Sequence, residues 1–206
     1  MASAKRSKTK ADPSLLVHMV EQARTGSALA SRWRCSGPIL GVDLSPRNTG
    51  LVVIDPAGIF MRSQTLRYPL VREKKTDPPI TEAQRIERML AIANEVIGLC
   101  KLWKIRFIGI EGYAMDARFQ AHQIGEVAGT LKTQIYLALR MIPYIVPPQS
   151  ARKHVTGYGR PDKKQIFTIV TEGLAWPVKT EHEADAGIVA RYLFDRIVTE
   201  EKELTV

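Results

Sequence analysis

The stretch ILGVDLSPRNTGLVVI, residues 39–54, decides the architecture. Ile39 to Leu44 is a short apolar run of strand length, Asn48 to Gly50 supplies a turn, and Leu51 to Ile54 is a second apolar run. A further turn at Asp55 to Gly58 leads into a third run, Ile59 to Leu66, so the segment reads as an antiparallel meander. Asp43 stands inside the first strand among apolar neighbours, where an unpaired charge is expensive to bury. It needs a metal, a cation or a hydrogen-bond network. Taken alone, a strand aspartate is as a rule structural.

Working outward, Thr81 and Gln84 form a capping-box pattern, and Ile86, Met89, Leu90, Ala93, Val96 and Ile97 then recur at helical spacing. Ile105 to Ile110 is a buried-type strand that ends on Glu111, residues 118–140 read as a second long helix, and Tyr144 to Val146 is a fifth strand closed by Pro147 and Pro148. Two helices follow, Pro161 to about Leu174 and Glu181 to Val198. This order predicts an α/β layer fold, a five-stranded mixed sheet with helices on both faces.

At 206 residues and 45% apolar content the chain fits one domain plus an extension. The sequence divides into a basic N-terminal extension (1–37), partly disordered, an α/β domain (38–200) and a short tail (201–206). Leu15, Leu16, Met19 and Val20 suggest a short amphipathic helix inside the extension, followed by a linker from Thr25 to Gly37. No stretch approaches the roughly 20 apolar residues of a membrane span, and no secretory signal is legible, so an intracellular protein without a membrane partner is expected. Cys35 and Cys100 fit neither a disulfide framework nor a zinc site. The net charge of +9, of which residues 1–40 carry +5, points to a polyanionic partner, nucleic acid first.

Glu111 repeats the situation of Asp43 at the end of a strand that reads as parallel to the first, and ligands of such sheets collect at the carboxyl ends. The segment EHEADAGI (181–188) adds His182 and Asp185, three apart and hence on one helix face. An acidic helix start is ordinary dipole compensation, which accounts for Glu181 and Glu183 but not for the pairing of Asp185 with two strand-end acids. Gathered carboxylates hold divalent ions for phosphodiester chemistry, so the residues read as a metal-dependent nuclease. Arg152, Lys153, His154, Arg160, Lys163 and Lys164 surround Gly157 and Gly159; this is either a phosphate-binding segment or a turn followed by solvated lysines. Ala121, Gly125 and Gly129 make a smooth stripe, read as packing inside the domain, with contact to a second subunit as the alternative.

Together GVDLSPRNTG, IEGYAM, VTGYGRPDKKQI and HEADA resemble the RuvC-type Holliday junction resolvases of the RNase H-like nuclease superfamily, in order and approximate spacing over residues 38–198. The resemblance implies an RNase H-like fold. It assigns catalysis and metal binding to Asp43, Glu111, His182 and Asp185, His182 matching a position where relatives carry Asp or His. They would hold two Mg²⁺ or Mn²⁺ ions, with Asp43 bridging. Lys163 falls on a DNA-binding lysine and Arg152 near another, with Lys153 and Lys164 beside them; Tyr113 and Phe119 are the candidates for an aromatic inserted at the junction. The partner implied is branched DNA, above all a four-way junction, and the assembly a homodimer.

The extension before Ile39 departs from the pattern of cellular bacterial members, which usually begin almost at the first strand. A bacterial cytoplasm or nucleoid, a viral protein in host cytoplasm, and an organellar form with a targeting arm all stay open. The alternative function is an RNase H-like nuclease for flaps, forks or RNA. A sugar-kinase or actin-like ATPase shares the Asp-turn-Thr-Gly hairpin but needs two such domains, and a binding protein without catalysis would have lost an acid.

Overall fold

Strands β1 (Ile39–Asp43) and β2 (Asn48–Ile54) pair antiparallel from Ile39 opposite Ile54 to Asp43 opposite Gly50. The connection is closed by Thr49, fully buried, whose hydroxyl donates to the Ser45 carbonyl at 2.8 Å. The computed structural model describes residues 13–30, 35–45, 47–68, 80–112 and 121–203. Within them β3 (Phe60–Arg67) continues the meander, while β4 (Phe107–Glu111) and β5 (Tyr144–Val146) lie parallel to β1, giving the sheet order β3-β2-β1-β4-β5. This is the expected mixed five-stranded sheet.

Strand alternation sorts the side chains into two cores. Leu40, Val42, Ile108 and Ile110 face α2 (Glu82–Leu102) and α3 (Ala121–Leu139). On the other face, Ile39, Val52 and Ile54 meet α1 (Pro13–Ala30), α4 (Pro148–Thr156), α5 (Lys163–Thr168), a π-helical turn at Ile169–Gly173 and α6 (Glu181–Glu203). Gly41, two residues before Asp43, belongs to this second face: a Cβ there would lie 2.2 Å from the Ala186 carbonyl oxygen and 2.6 Å from the Ala190 nitrogen. Ala184, Ala186 and Ala190 are fully buried, so small side chains on both partners let α6 press onto the strands. Asp43 therefore points toward the helix that carries the remaining candidates.

Three elements differ from expectation. Helix α1 continues to Ala30 where a linker from Thr25 was expected; it buries Met19, Val20 and Ala23 against the α6-side core, and tertiary contact overrides the cost of an interior glycine. Helix α4 begins at Pro148, which reads in sequence as a stop but stands at the start, where proline needs no N–H partner. It ends at Gly157 in the left-handed region, φ 74°. The helix expected from Pro161 starts at Lys163, capped by Asp162 with Gln165. Among the described residues no helix is long and apolar enough to cross a membrane.

Candidate active site

Asp43 and Glu111 are the last residues of adjacent parallel strands, each one position beyond the paired Val42 and Ile110. The first turn of α6 lies over them because β2 offers it a glycine: a Cβ on Gly50 would stand 2.0 Å from the His182 carbonyl oxygen. That approach brings His182 Nδ1 to 2.8 Å from Asp43 Oδ2. Asp185, one turn further, is buried at 5% exposure beside them. The four candidate catalytic residues thus meet at one point, delivered by three separate elements.

Arg152 completes the cluster. Its Nη2 donates to Glu111 Oε1 at 3.1 Å and to Asp185 Oδ1 at 3.3 Å. In sequence it reads as a nucleic-acid contact; in the fold α4 turns it inward, where it balances part of the acidic charge. Burial and then the neighbouring charge of Asp43, with which Glu111 shares a hydrogen bond, push the Glu111 carboxyl up to about 9. Burial and Asp43 raise Asp185 to about 6, against the opposing pull of Arg152, Lys163 and His182. Carboxyls crowded this closely lack positive charge, and hard oxygen donors with one imidazole fit Mg²⁺ or Mn²⁺ by type. As the side chains stand, no group of three His, Cys, Asp or Glu among the described residues is drawn in tightly enough to hold an ion. Arg152 is the cation among them.

Lys153, Lys163 and Lys164 are exposed on α4 and α5, and Lys163 Nζ stands 3.9 Å from Glu181 Oε2 beside the acids. Tyr113 and Phe119 lie outside the described residues. Among the described residues, a Cβ on Gly125 or Gly129 would meet nothing within 4 Å.

Sequence reasoning passed over Glu183 as a helix-start acid. The structure buries it at 4% exposure, where its carboxylate accepts from Ser63 at 2.7 Å, Thr65 at 2.9 Å and the Lys179 N–H at 2.8 Å. It ties the start of α6 to β3 and so positions His182 next to it. The alternating Ser63 and Thr65, two apart on one face of a strand, were the available signal.

The mixed five-stranded sheet, order β3-β2-β1-β4-β5, with helices on both faces is the RNase H-like fold. No protein-family model matches the chain. It is 28% identical over 156 residues to the crossover junction endodeoxyribonuclease RuvC of Synechococcus sp. (strain WH7803), covering 74% of this chain and 94% of that protein. Thermus thermophilus RuvC superposes with a TM-score of 0.59 at 16% identity, covering 80% of this chain and 96% of that one. The same enzyme in complex with a Holliday junction substrate superposes at 0.59 and 15% identity, covering 78% and 94%. In sequence the chain is similar to a RuvC crossover junction endodeoxyribonuclease, and its fold is that of the RuvC structures.

Proposed function

We propose that the chain is a metal-dependent endodeoxyribonuclease that resolves four-way DNA junctions by nicking opposed strands. The observation that carries this is the convergence of Asp43, Glu111, His182 and Asp185 at the carboxyl ends of β1 and β4, next to the basic α4 and α5. The curated relative is named for that activity.

In this reading Asp43, Glu111, His182 and Asp185 would hold two Mg²⁺ or Mn²⁺ ions, whose chemistry would be water activation and stabilisation of the leaving 3′ oxygen. Asp43 fixes the orientation of the His182 imidazole through Nδ1 and leaves its other nitrogen to hold or pass a proton. Arg152 keeps Glu111 and Asp185 in place while positive charge is short, and is free to turn to a phosphate once the acids are otherwise neutralised. Lys153, Lys163 and Lys164 hold the backbone of the nucleic acid. Tyr113 and Phe119 stay candidates for the aromatic at the junction centre.

A two-fold substrate suits a homodimer with its two sites on one face. Room for a Cβ at Gly125 and Gly129 among the described residues supports a second copy against α3. The compartment proposed is intracellular.

The test is a cleavage panel of labelled four-way junction, flap, fork, linear duplex and RNA, each with Mg²⁺, Mn²⁺ or EDTA. Metal-dependent nicking confined to the four-way junction is expected. Preference for flaps, forks or RNA would transfer the chain to the broader nuclease reading. Loss of cleavage with retained binding in Asp43→Asn, Glu111→Gln and Asp185→Asn would tie the chemistry to the acids.

A further inference from the structure

Arg88, in the second turn of α2, is 8% exposed, and among the described residues its Nε has no hydrogen-bond partner. A guanidinium in that position is costly unless an anion meets it. The charges that bear on it are cations. After burial itself, Arg85 one turn earlier and Arg47 in the β1–β2 connection both favour loss of its proton. Arg85 and Arg88 are three apart on one helix face, and Arg47 is exposed.

Topology places this group at the working end of the sheet. Helix α2 leads into β4 through Trp103 to Arg106, and the Ile105 N–H donates back to the Cys100 carbonyl, so α2 runs antiparallel to β4. From Arg88 to Leu102 the helix spans about 21 Å, whereas β4 spans about 13 Å. The first turns of α2 therefore reach past the strand ends that carry Asp43 and Glu111, on the face opposite α6. Arg67, the last residue of β3, pairs with Asn48 at the same end. The acids accordingly have exposed lysines on the α4–α5 side and an arginine group on the other.

We propose that Arg47, Arg85 and Arg88 form a second phosphate-binding site, which grips the DNA backbone on the α2 face of the sheet end. This rests on the nuclease reading above and names a contact outside the α4–α5 segment. The buried Arg88 supplies a fixed donor, while the exposed Arg47 and the half-buried Arg85, which now stands 3.6 Å from Glu82 Oε2, close over a phosphodiester.

The experiment uses the full-length chain carrying Asp43→Asn and a labelled synthetic four-way junction, with affinity measured at several salt concentrations. Arg47→Gln, Arg85→Gln and Arg88→Met should each weaken binding, roughly 3- to 10-fold, and reduce the log-log salt slope by about 0.9. Lys163→Ala is the reference for a contact on the other side. Arg88→Met should also melt no lower than its parent, since it removes a buried charge without a partner. If it fails to fold, Arg88 is structural and the site as proposed is overturned. Unchanged slopes in the arginine variants, with a reduced slope for Lys163→Ala, overturn this inference and leave the nuclease reading intact. A parent that binds no DNA overturns both.

Discussion

Replacing Gly50 by alanine should separate the catalytic residues without touching any of them. The added Cβ would stand 2.0 Å from the His182 oxygen, 2.3 Å from its carbonyl carbon and 3.0 Å from the Glu183 nitrogen. These are backbone atoms, held down by the Glu183 bonds to Ser63, Thr65 and Lys179, so no flexible side chain can yield. Relief to ordinary contact near 3.5 Å requires the first turn of α6 to lift by roughly 1 to 1.5 Å. Overpacking of this kind costs about 1–3 kcal/mol. The same lift stretches the 2.8 Å Asp43–His182 bond beyond hydrogen-bond range. A displacement of about 1 Å at reacting groups costs on the order of 100-fold in rate. Urea unfolding and single-turnover cleavage of a labelled four-way junction read the two effects. Gly98→Ala is the control: its Cβ would meet nothing within 4 Å, so it should stabilise α2 by about 0.5–1 kcal/mol and leave cleavage unchanged. If Gly50→Ala cleaves within threefold of the parent at unchanged stability, the tight seat of α6 does not hold the site together.

The metal-free protein should lose stability as pH rises from about 4.5 toward 9, because the raised Glu111, and Asp185 below about 6, keep protons in the folded state that the unfolded chain has released. Melting in EDTA across that range checks the sign, and Glu111→Gln should flatten the slope; stability that climbs with pH would contradict it. His182→Asp should retain Mg²⁺- or Mn²⁺-dependent cleavage with an altered pH profile, while His182→Ala loses most of it. Equal rates for His182→Ala and the parent across pH 6 to 9 would reduce the site to its carboxylates. Removing residues 1–36, which in sequence reads as harmless to the chemistry, should lower the melting temperature because Met19, Val20 and Ala23 leave the α6-side core. An unchanged melt would return α1 to a passive extension.

The succession of strands and the two long helices along the chain were legible because period-2 and period-3.6 apolar patterns are local properties. The same holds for the capping box at Thr81, which the structure closes through Gln84. Convergence of Asp43, Glu111, His182 and Asp185 was legible from the resemblance and from their strand-end and helix-start positions. What stayed hidden depends on contacts distant in sequence. Arg152 reads as one cation in a basic segment, and only the turn of α4 carries it to Glu111 and Asp185, 41 and 33 residues away. Glu183 reads as a helix-start acid until β3 brings Ser63 and Thr65 beneath it, 120 and 118 residues away. Gly41 and Gly50 look like ordinary strand and turn glycines, and the missing Cβ acquires meaning when α6 crosses above.

The most direct test of the account is cleavage of a supercoiled plasmid bearing an extruded cruciform by the full-length protein. Paired nicks on opposed strands within one encounter convert it to linear product, whereas independent single nicks release the supercoils and remove the junction first. The account predicts linear product in Mg²⁺ or Mn²⁺, none in EDTA, and none from Asp43→Asn. Relaxed circles alone would contradict paired nicking by a dimer, and metal-independent cleavage or an active Asp43→Asn variant would contradict the site itself.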